Sequence, residues 1–404
     1  MNLKTLIKLN NNVEFKNFIR SNINADTNKL RLKNFQGLSF DVKFALLQID
    51  CKNRIKKKLP EIFESDKMLF PSILSTEQCT AEEIAKFHAS LLSPENTVLD
   101  LTAGLCIDTY YISKVVKNVT AIEINPETAT LADFNMTTIT DNVNVLCDDS
   151  INYINNCTNK YDIIFVDPAR RGDNNKRLFG LADCNPNILE LIPKLSNFAK
   201  YLYIKASPMI DISQSISELH NKVTDIWVIG INNECKELLF KVDLLSQQKI
   251  NADIHTLNFE NSTIQSLSKD ITDSSNLSKT DLTEGIYLYE PNRCIMKAQI
   301  FDSLEFKYNV TRIQHNSHLF ISNNIIPDFP GRKFQIIEII SFKNNEIKHI
   351  NKKHPQINVS VRNFKLSAEE LKKKLKLKDG GNKYLFGTTD NLNNAILIIC
   401  NKIT

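Results

Sequence analysis

The feature that most constrains this chain begins at Thr97. From there apolar runs recur with helical stretches between them: "TVLDLT", "VTAIEI", "VNVLC", "YDIIFVD", "YLYIKAS", "DIWVIGI" and "LLFKVDLL". A run such as Ile163 to Val166 has no polar side to offer solvent, so it suits a strand buried on both faces. Strands that alternate with helices imply βαβ units, and such units build a mainly parallel sheet. The alternation is expected to close near residue 247.

An open parallel sheet binds its ligand beyond the carboxyl ends of its strands. Those ends are acidic here. The first strand leads into "DLTAGLCID", the second ends at Glu123, the third is followed by Asp148 and Asp149, and the fourth by Asp167. A turn containing Gly104 lets the backbone approach a ligand closely. Glu123 is placed to accept hydrogen bonds from two ribose hydroxyls. Asp149, preferred over Asp148 because a small residue follows it, is placed to accept from an adenine amino group. Asp100 can hold an ammonium or a bridging water. This set suits an adenosine ligand with a cationic tail. A pyrophosphate would be repelled by the acids and would want a glycine-rich helix start. Asp108 reads as a helix N-terminal charge and Cys106 as a small apolar filler.

The combination resembles the class I S-adenosylmethionine-dependent methyltransferases over residues 98–167. Their Asp-x-Gly-x-Gly-x-Gly turn appears here as Asp100-x-Thr102-x-Gly104-x-Cys106, with two glycines missing. The resemblance implies a Rossmann-like seven-stranded sheet and S-adenosylmethionine as cofactor. The expected cofactor-binding residues are Asp100, Thr102, Gly104, Glu123, Ile124, Asp149, Ser150 and Asp167. In such enzymes the fourth strand ends beside the transferable methyl group. Asp167, Pro168, Arg170 and Lys205 are therefore the expected catalytic set, with Asp167 orienting or deprotonating the nucleophile. Proline fixes the turn. Arg170 and Arg171 either clamp a phosphate or neutralise the acid cluster. Lys205 either contacts substrate or pairs with Asp167. Asp-Pro-x-Arg-x-Gly looks like the RNA 5-methyluridine methyltransferases, but "YLYIKASPM" has no cysteine at the matching place. A covalent mechanism is disfavoured unless Cys184, in "DCNP", folds back into the site. Direct transfer to nitrogen or oxygen is the expectation.

Further segments, "DPARRG", "DCNPNILELIPKL", "KASPMIDI", "NNECKELL", "YLYEPNRCIMKA" and "RNFKLSAEELKKKLKLKDGGNKYLFGTT", resemble as a set one group of bacterial methyltransferase-like proteins. Those proteins carry a ferredoxin-like segment and a THUMP-like C-terminal domain. Apolar residues at helical spacing make 1–95 a helical region, and the resemblance implies a methyltransferase core at 96–250, a linker and ferredoxin-like segment at 251–312, and a basic α+β THUMP-like domain at 313–404. Charge agrees with that division: residues 301–404 hold 17 Lys and Arg against 9 Asp and Glu, while the rest holds 33 against 37. A basic third on a slightly acidic body suggests a polyanionic partner, and the THUMP resemblance makes it RNA, from tRNA or rRNA. Lys372, Lys373, Lys374, Lys376 and Lys378 crowd one helix near Tyr384 and Phe386, a pattern suited to phosphates and bases. A solvated helix face is the plainer reading of the same lysines.

Local signals complete the picture. Ser75 and Thr80 are alternative N-caps for a helix before the sheet, and Ser367 with Glu370 forms a capping box whose helix Gly380 and Gly381 would end. Residues 261–283 read as a polar linker. Nine scattered cysteines without zinc-like spacing point to reduced thiols in the cytoplasm and to no metal site. No window approaches the roughly 18 apolar residues of a membrane span. Other classes fitting the sequence are a non-catalytic cofactor- or RNA-binding protein, and a methyltransferase acting on protein or a small molecule.

Overall fold

In the larger sheet and its surroundings the strands are, in chain order, β1 (Thr97–Asp100), β2 (Asn118–Glu123), β3 (Val143–Cys147), β4 (Ile163–Val166), β5 (Ala169–Arg170), β6 (Cys184–Asn185), β7 (Tyr201–Ala206), β8 (Val223–Ile231), β9 (Glu234–Asp243), β10 (Asp253–Glu260) and β11 (Thr263–Ser268). A second series comprises β12 (Tyr287–Pro291), β13 (Thr311–Arg312), β14 (Phe320–Ser322), β15 (Gly331–Ser341), β16 (Asn358–Val361), β17 (Lys383–Thr389) and β18 (Ala395–Ile403). They come from a computed structural model that describes residues 3–170, 180–261, 263–269 and 280–403.

The larger sheet has nine strands in the order β11-β10-β8-β9-β7-β4-β1-β2-β3. The expected seven are present as β8-β9-β7-β4-β1-β2-β3, and β10 and β11 extend them. β10 pairs parallel with β8 and antiparallel with β11. Both additions lie beyond residue 247, and β11 falls in the segment expected to be a linker. Its composition misleads because an edge strand needs few apolar residues: in β11 Leu267 alone is buried. Residues 270–279 of that segment lie outside the described residues.

The pairs β1–β2, β2–β3, β1–β4 and β4–β7 are all parallel. β4 is buried throughout because β1 and β7 flank it and helices cover parallel sheets on both faces. From β1 the chain winds outward to β2 and β3, then returns to β4 and continues to β7 on the other side. The strand order therefore reverses between β1 and β4, which sets a ligand crevice beyond their carboxyl ends.

By packing, the chain divides into two units: Met1–Thr224 with Leu239–Ala252, and Asp225–Leu238 with Asp253–Thr404. In the first, helices Leu3–Asn10, Val13–Asn22 and Val42–Ile55 bury Leu6, Phe15 and Ile49 in a core shared with Leu131 and Phe134 of helix Pro126–Ile139. Two buried amides fix the following segment. Asn135 bonds both the N–H and C=O of Leu69, and Gln48 those of Phe70, at 2.8–2.9 Å. Ser75 and Thr80 are not caps: Ser72 caps helix Ile73–Gln78, and helix Glu82–Ser90 starts after Ala81 without a side-chain cap. Thr80 spends its hydroxyl elsewhere, as shown below.

The second, seven-stranded sheet lies within the second unit and has the order β13-β14-β12-β15-β18-β17-β16. One core gathers Leu288, Phe334 and Phe386, another Leu371, Leu385 and Leu397. Helix Ala368–Leu375 begins with the expected Ser367–Glu370 capping box. It stops earlier than the glycines: Lys376 turns left-handed at φ 55°, and the Leu377 N–H bonds the Lys372 carbonyl at 3.0 Å. That reversal lets Leu377 join Leu371 and Leu375 in the core, which outweighs the cost of a non-glycine residue at positive φ. Among the described residues no helix is long and apolar enough to cross a membrane.

Candidate active site

The loop after β1 is built around two buried or half-buried acids. Asp100 closes β1 and is 3% exposed. It accepts from the Thr102 N–H at 3.0 Å and the Thr109 hydroxyl at 2.6 Å, so the chain is turned back over the strand end. Burial pushes the Asp100 carboxyl up to about 7 against those two hydrogen bonds. Glu123 closes β2 and accepts from the Gly104 N–H at 3.0 Å and the Asn125 N–H at 2.7 Å. The backbone thus aims a carboxylate at the crevice before any ligand arrives.

The two missing glycines have different consequences. Gly104 keeps a left-handed φ of 52°, and a Cβ there would meet nothing within 4 Å, so its backbone faces open space. Cys106, where the pattern has glycine, adopts φ 58° at the start of helix Ile107–Ser113 and is fully buried. The turn is retained at the cost of a left-handed non-glycine residue, with the thiol packed as filler as expected. Thr102 has a task of its own: its hydroxyl accepts from the Asp167 N–H at 2.6 Å and joins the β1 loop to the β4 end.

A cavity of about 240 Å³ lies here, lined by Asp100, Thr102, Gly104, Asp108, Glu123 and Asp167 among others. Residues ahead of the sheet form another wall: Ser75, Gln78, Cys79 and Thr80. The expected residues Asp149 and Ser150 take structural parts beside it. Asp149 caps helix Ser150–Asn156 through the N–H groups of Ile151 and Asn152, and the Ser150 hydroxyl bonds the Leu101 carbonyl. Asp148 accepts from Asn152 at 2.8 Å. Ile124 follows Glu123 and is 62% exposed, an apolar surface beside an acid.

At the β4 end a chain of charges runs outward from the core. His88, 2% exposed, meets Asp108 Oδ1 at 2.8 Å through Nδ1. The other Asp108 oxygen accepts from the Thr80 hydroxyl at 2.5 Å and from Lys205 Nζ at 3.1 Å. Lys205 also donates to Thr80 Oγ1 and to Asp167 Oδ2, each at 2.7 Å. Burial works against the Asp108 carboxylate, but the Lys205 ammonium and the His88 ring hold it well below the usual carboxylate range. The Lys205 side chain is 7% exposed and that of Asp167 is 50% exposed, so the series reaches solvent at Asp167. Lys205 pairs with Asp167 as one expectation had it. Asp108 sits in the first turn of its helix, as expected, and is in addition the counter-ion of Lys205. His88 and Thr80 were missed, because a histidine and a threonine on an amphipathic helical segment carry no motif.

Pro168 is buried behind Asp167, and β5 pairs antiparallel with β6, with Arg170 opposite Cys184. The Cys184 segment therefore does fold back beside the Asp-Pro turn. Cys184 is 6% exposed; its thiol bonds the Gly180 carbonyl at 3.8 Å and is not part of the cavity wall. Only the backbone of Arg170 is described, and Arg171 lies outside the described residues. Among the described residues no group of three or more His, Cys, Asp or Glu is placed to hold a metal ion.

The winding order, the reversal between β1 and β4 and the acids at the strand ends define a class I methyltransferase fold. Comparison with known proteins points the same way. A THUMP domain-like family model matches residues 331–402, and a ferredoxin-like domain model matches 287–330. A crystal structure of a candidate methyltransferase from Porphyromonas gingivalis is 29% identical, with a TM-score of 0.81, covering 96% of this chain and 98% of that one. A candidate class I S-adenosylmethionine-dependent methyltransferase from Listeria monocytogenes is 12% identical over 62% of this chain and 94% of that one, with a TM-score of 0.37. An rRNA methylase from Streptococcus thermophilus is 16% identical over 42% and 96%, with a TM-score of 0.29. The first carries the comparison; the other two scores are too low to add to it. No curated protein matches.

Two measurements test this electrostatic arrangement. Lys205→Met is expected to lose about 3–5 kcal/mol in urea unfolding, because it strands Asp108. Adding Asp108→Asn should recover at least half of that; simple additivity would contradict the pairing. Asp100 has a folded pKa of about 7, raised above its unfolded value, so it contributes its full stability at acid pH and loses it as pH rises towards 7. The stability of Asp100→Asn relative to the unaltered chain should therefore climb between pH 4 and 7, by up to about 4 kcal/mol, and level off above. A pH-independent difference would refute the assignment.

Proposed function

We propose that this chain is an S-adenosylmethionine-dependent methyltransferase that modifies a base in RNA, by direct transfer to nitrogen or oxygen. The observation that carries the cofactor assignment is the set of carboxylates that line the cavity. Asp100, Asp108, Glu123 and Asp167 line it, so a cationic ligand is favoured and a diphosphate is not. Glu123, oriented by two backbone amides, would take the ribose hydroxyls, with Ile124 beside the adenine. Open space at the Gly104 backbone leaves room for the ligand against the loop. Asp149 has lone pairs left after capping its helix, and remains our candidate for the adenine amino group. The cofactor supplies an electrophilic methyl group on sulfur.

Asp167 is the acid we assign to the nucleophile. One of its oxygens is occupied by Lys205, and half the side chain is open to solvent. It can accept a hydrogen bond from an N–H or O–H and orient the lone pair behind it. The buried Cys184 thiol speaks for direct transfer over a covalent pyrimidine adduct. Arg170 and Arg171 remain our candidates for holding a phosphate at the rim.

RNA as the partner rests on the second unit. Lys373, Lys374, Lys376 and Lys378 are exposed, whereas Lys372 is half-buried and bonded to Glu369 and Asp379 at 2.8 and 2.6 Å. Four exposed lysines on one short segment of a THUMP-like domain suit a phosphate backbone. We place the protein in the reducing cytoplasm, in keeping with cysteines that are all free thiols.

Radiolabelled methyl transfer to total cellular RNA is the direct test. Asp167→Ala should keep cofactor affinity within about threefold while transfer falls at least about a hundredfold; equal loss of both would sink the role. Replacing Lys373, Lys374, Lys376 and Lys378 with Gln should weaken RNA binding and flatten its dependence on salt. An unchanged salt slope would show that the helix is only a solvated surface.

A further inference from the structure

S-Adenosylmethionine ends in an amino acid, so besides its sulfonium it brings an ammonium and a carboxylate. The acids that suit the two cations repel that carboxylate. Lys205 is the nearby ammonium, but it already donates to Thr80, Asp108 and Asp167. Of the wall ahead of the sheet, Thr80 gives its hydroxyl proton to Asp108, and Ser75 gives its own to the Ser72 carbonyl. Gln78 differs. It lines the same cavity, its side chain is exposed, and its amide makes no hydrogen bond to the described residues. A primary amide is neutral and offers two N–H donors and a carbonyl acceptor, so it can serve carboxylate and ammonium alike.

Its position fits that use. Two residues on, Thr80 bonds Lys205 and Asp108, so the Gln78 backbone is close in the chain to the groups that hold Asp167, whereas the ribose is assigned to Glu123. The segment is held before any ligand arrives. Lys58 Nζ donates to the Glu77 carbonyl at 2.6 Å, Thr76 is 1% exposed, and the Cys79 thiol bonds the Thr76 carbonyl at 3.1 Å. An anchored backbone spares much of the ordering cost of binding.

We propose that Gln78 is the side chain that holds the amino-acid end of the cofactor, which gives the helical region ahead of the sheet a direct part in the site. This rests on the cofactor reading above, and the test separates the two. Calorimetry on the full chain would compare S-adenosylhomocysteine, which has the amino-acid end, with 5′-methylthioadenosine, which lacks it. Gln78→Ala should weaken S-adenosylhomocysteine about tenfold, the loss of a hydrogen bond to a charged group, and leave methylthioadenosine and the melting temperature unchanged. Gln78→Glu should weaken S-adenosylhomocysteine further, by setting carboxylate against carboxylate. Equal weakening of both ligands, or of neither, would overturn the role of Gln78. An unaltered chain that binds neither ligand would overturn the cofactor reading and the inference together.

Discussion

The site depends on one buried ammonium shared between two carboxylates. Lys205 leaves β7 inside a wall of apolar residues, where a lone ammonium would cost several kcal/mol. Asp108 answers it from the core side and Asp167 from the crevice side. Because Asp108 is itself pinned by His88 and Thr80, the lysine has one place to go, and so has the Asp167 oxygen it holds. The geometry at the mouth of the cavity is therefore set by a network of charges that is complete within the protein. Electrostatic order of this kind is in place before a substrate arrives, which is what makes it useful to transfer chemistry.

Much of the fold was legible, for a physical reason. Parallel strands buried on both faces must be apolar from end to end, so β4 and β7 stand out, and the acids beyond them stand out by contrast. Asp100, Glu123 and Asp167 were found this way, and the structure gathers them around one cavity. β11 was not legible, because an edge strand with one buried residue has the composition of a linker. The end of helix Ala368–Leu375 was misplaced because two glycines are a stronger local signal than a lysine. The tertiary demand to bury Leu377 decided it instead.

The partners of Lys205 were beyond the reach of sequence. Thr80 and His88 lie on the helical approach to β1, more than a hundred residues before Lys205, and neither belongs to a motif. Asp108 looked like a helix-start charge because that is its local position; only packing reveals it as a counter-ion. A buried charge needs a partner, but the sequence does not say which. The role of the region ahead of the sheet is the main thing the structure adds: it closes a wall of the cavity and supplies Thr80 and His88, which pin Asp108, the counter-ion of the lysine.

On the proposed reading, acids at neighbouring strand ends select a cationic sulfonium nucleoside. Titration calorimetry of the purified full chain with S-adenosylmethionine and, separately, with a nicotinamide dinucleotide tests it most directly. Saturable heat is expected with the sulfonium compound and none with the dinucleotide. Heat from the dinucleotide alone would contradict it.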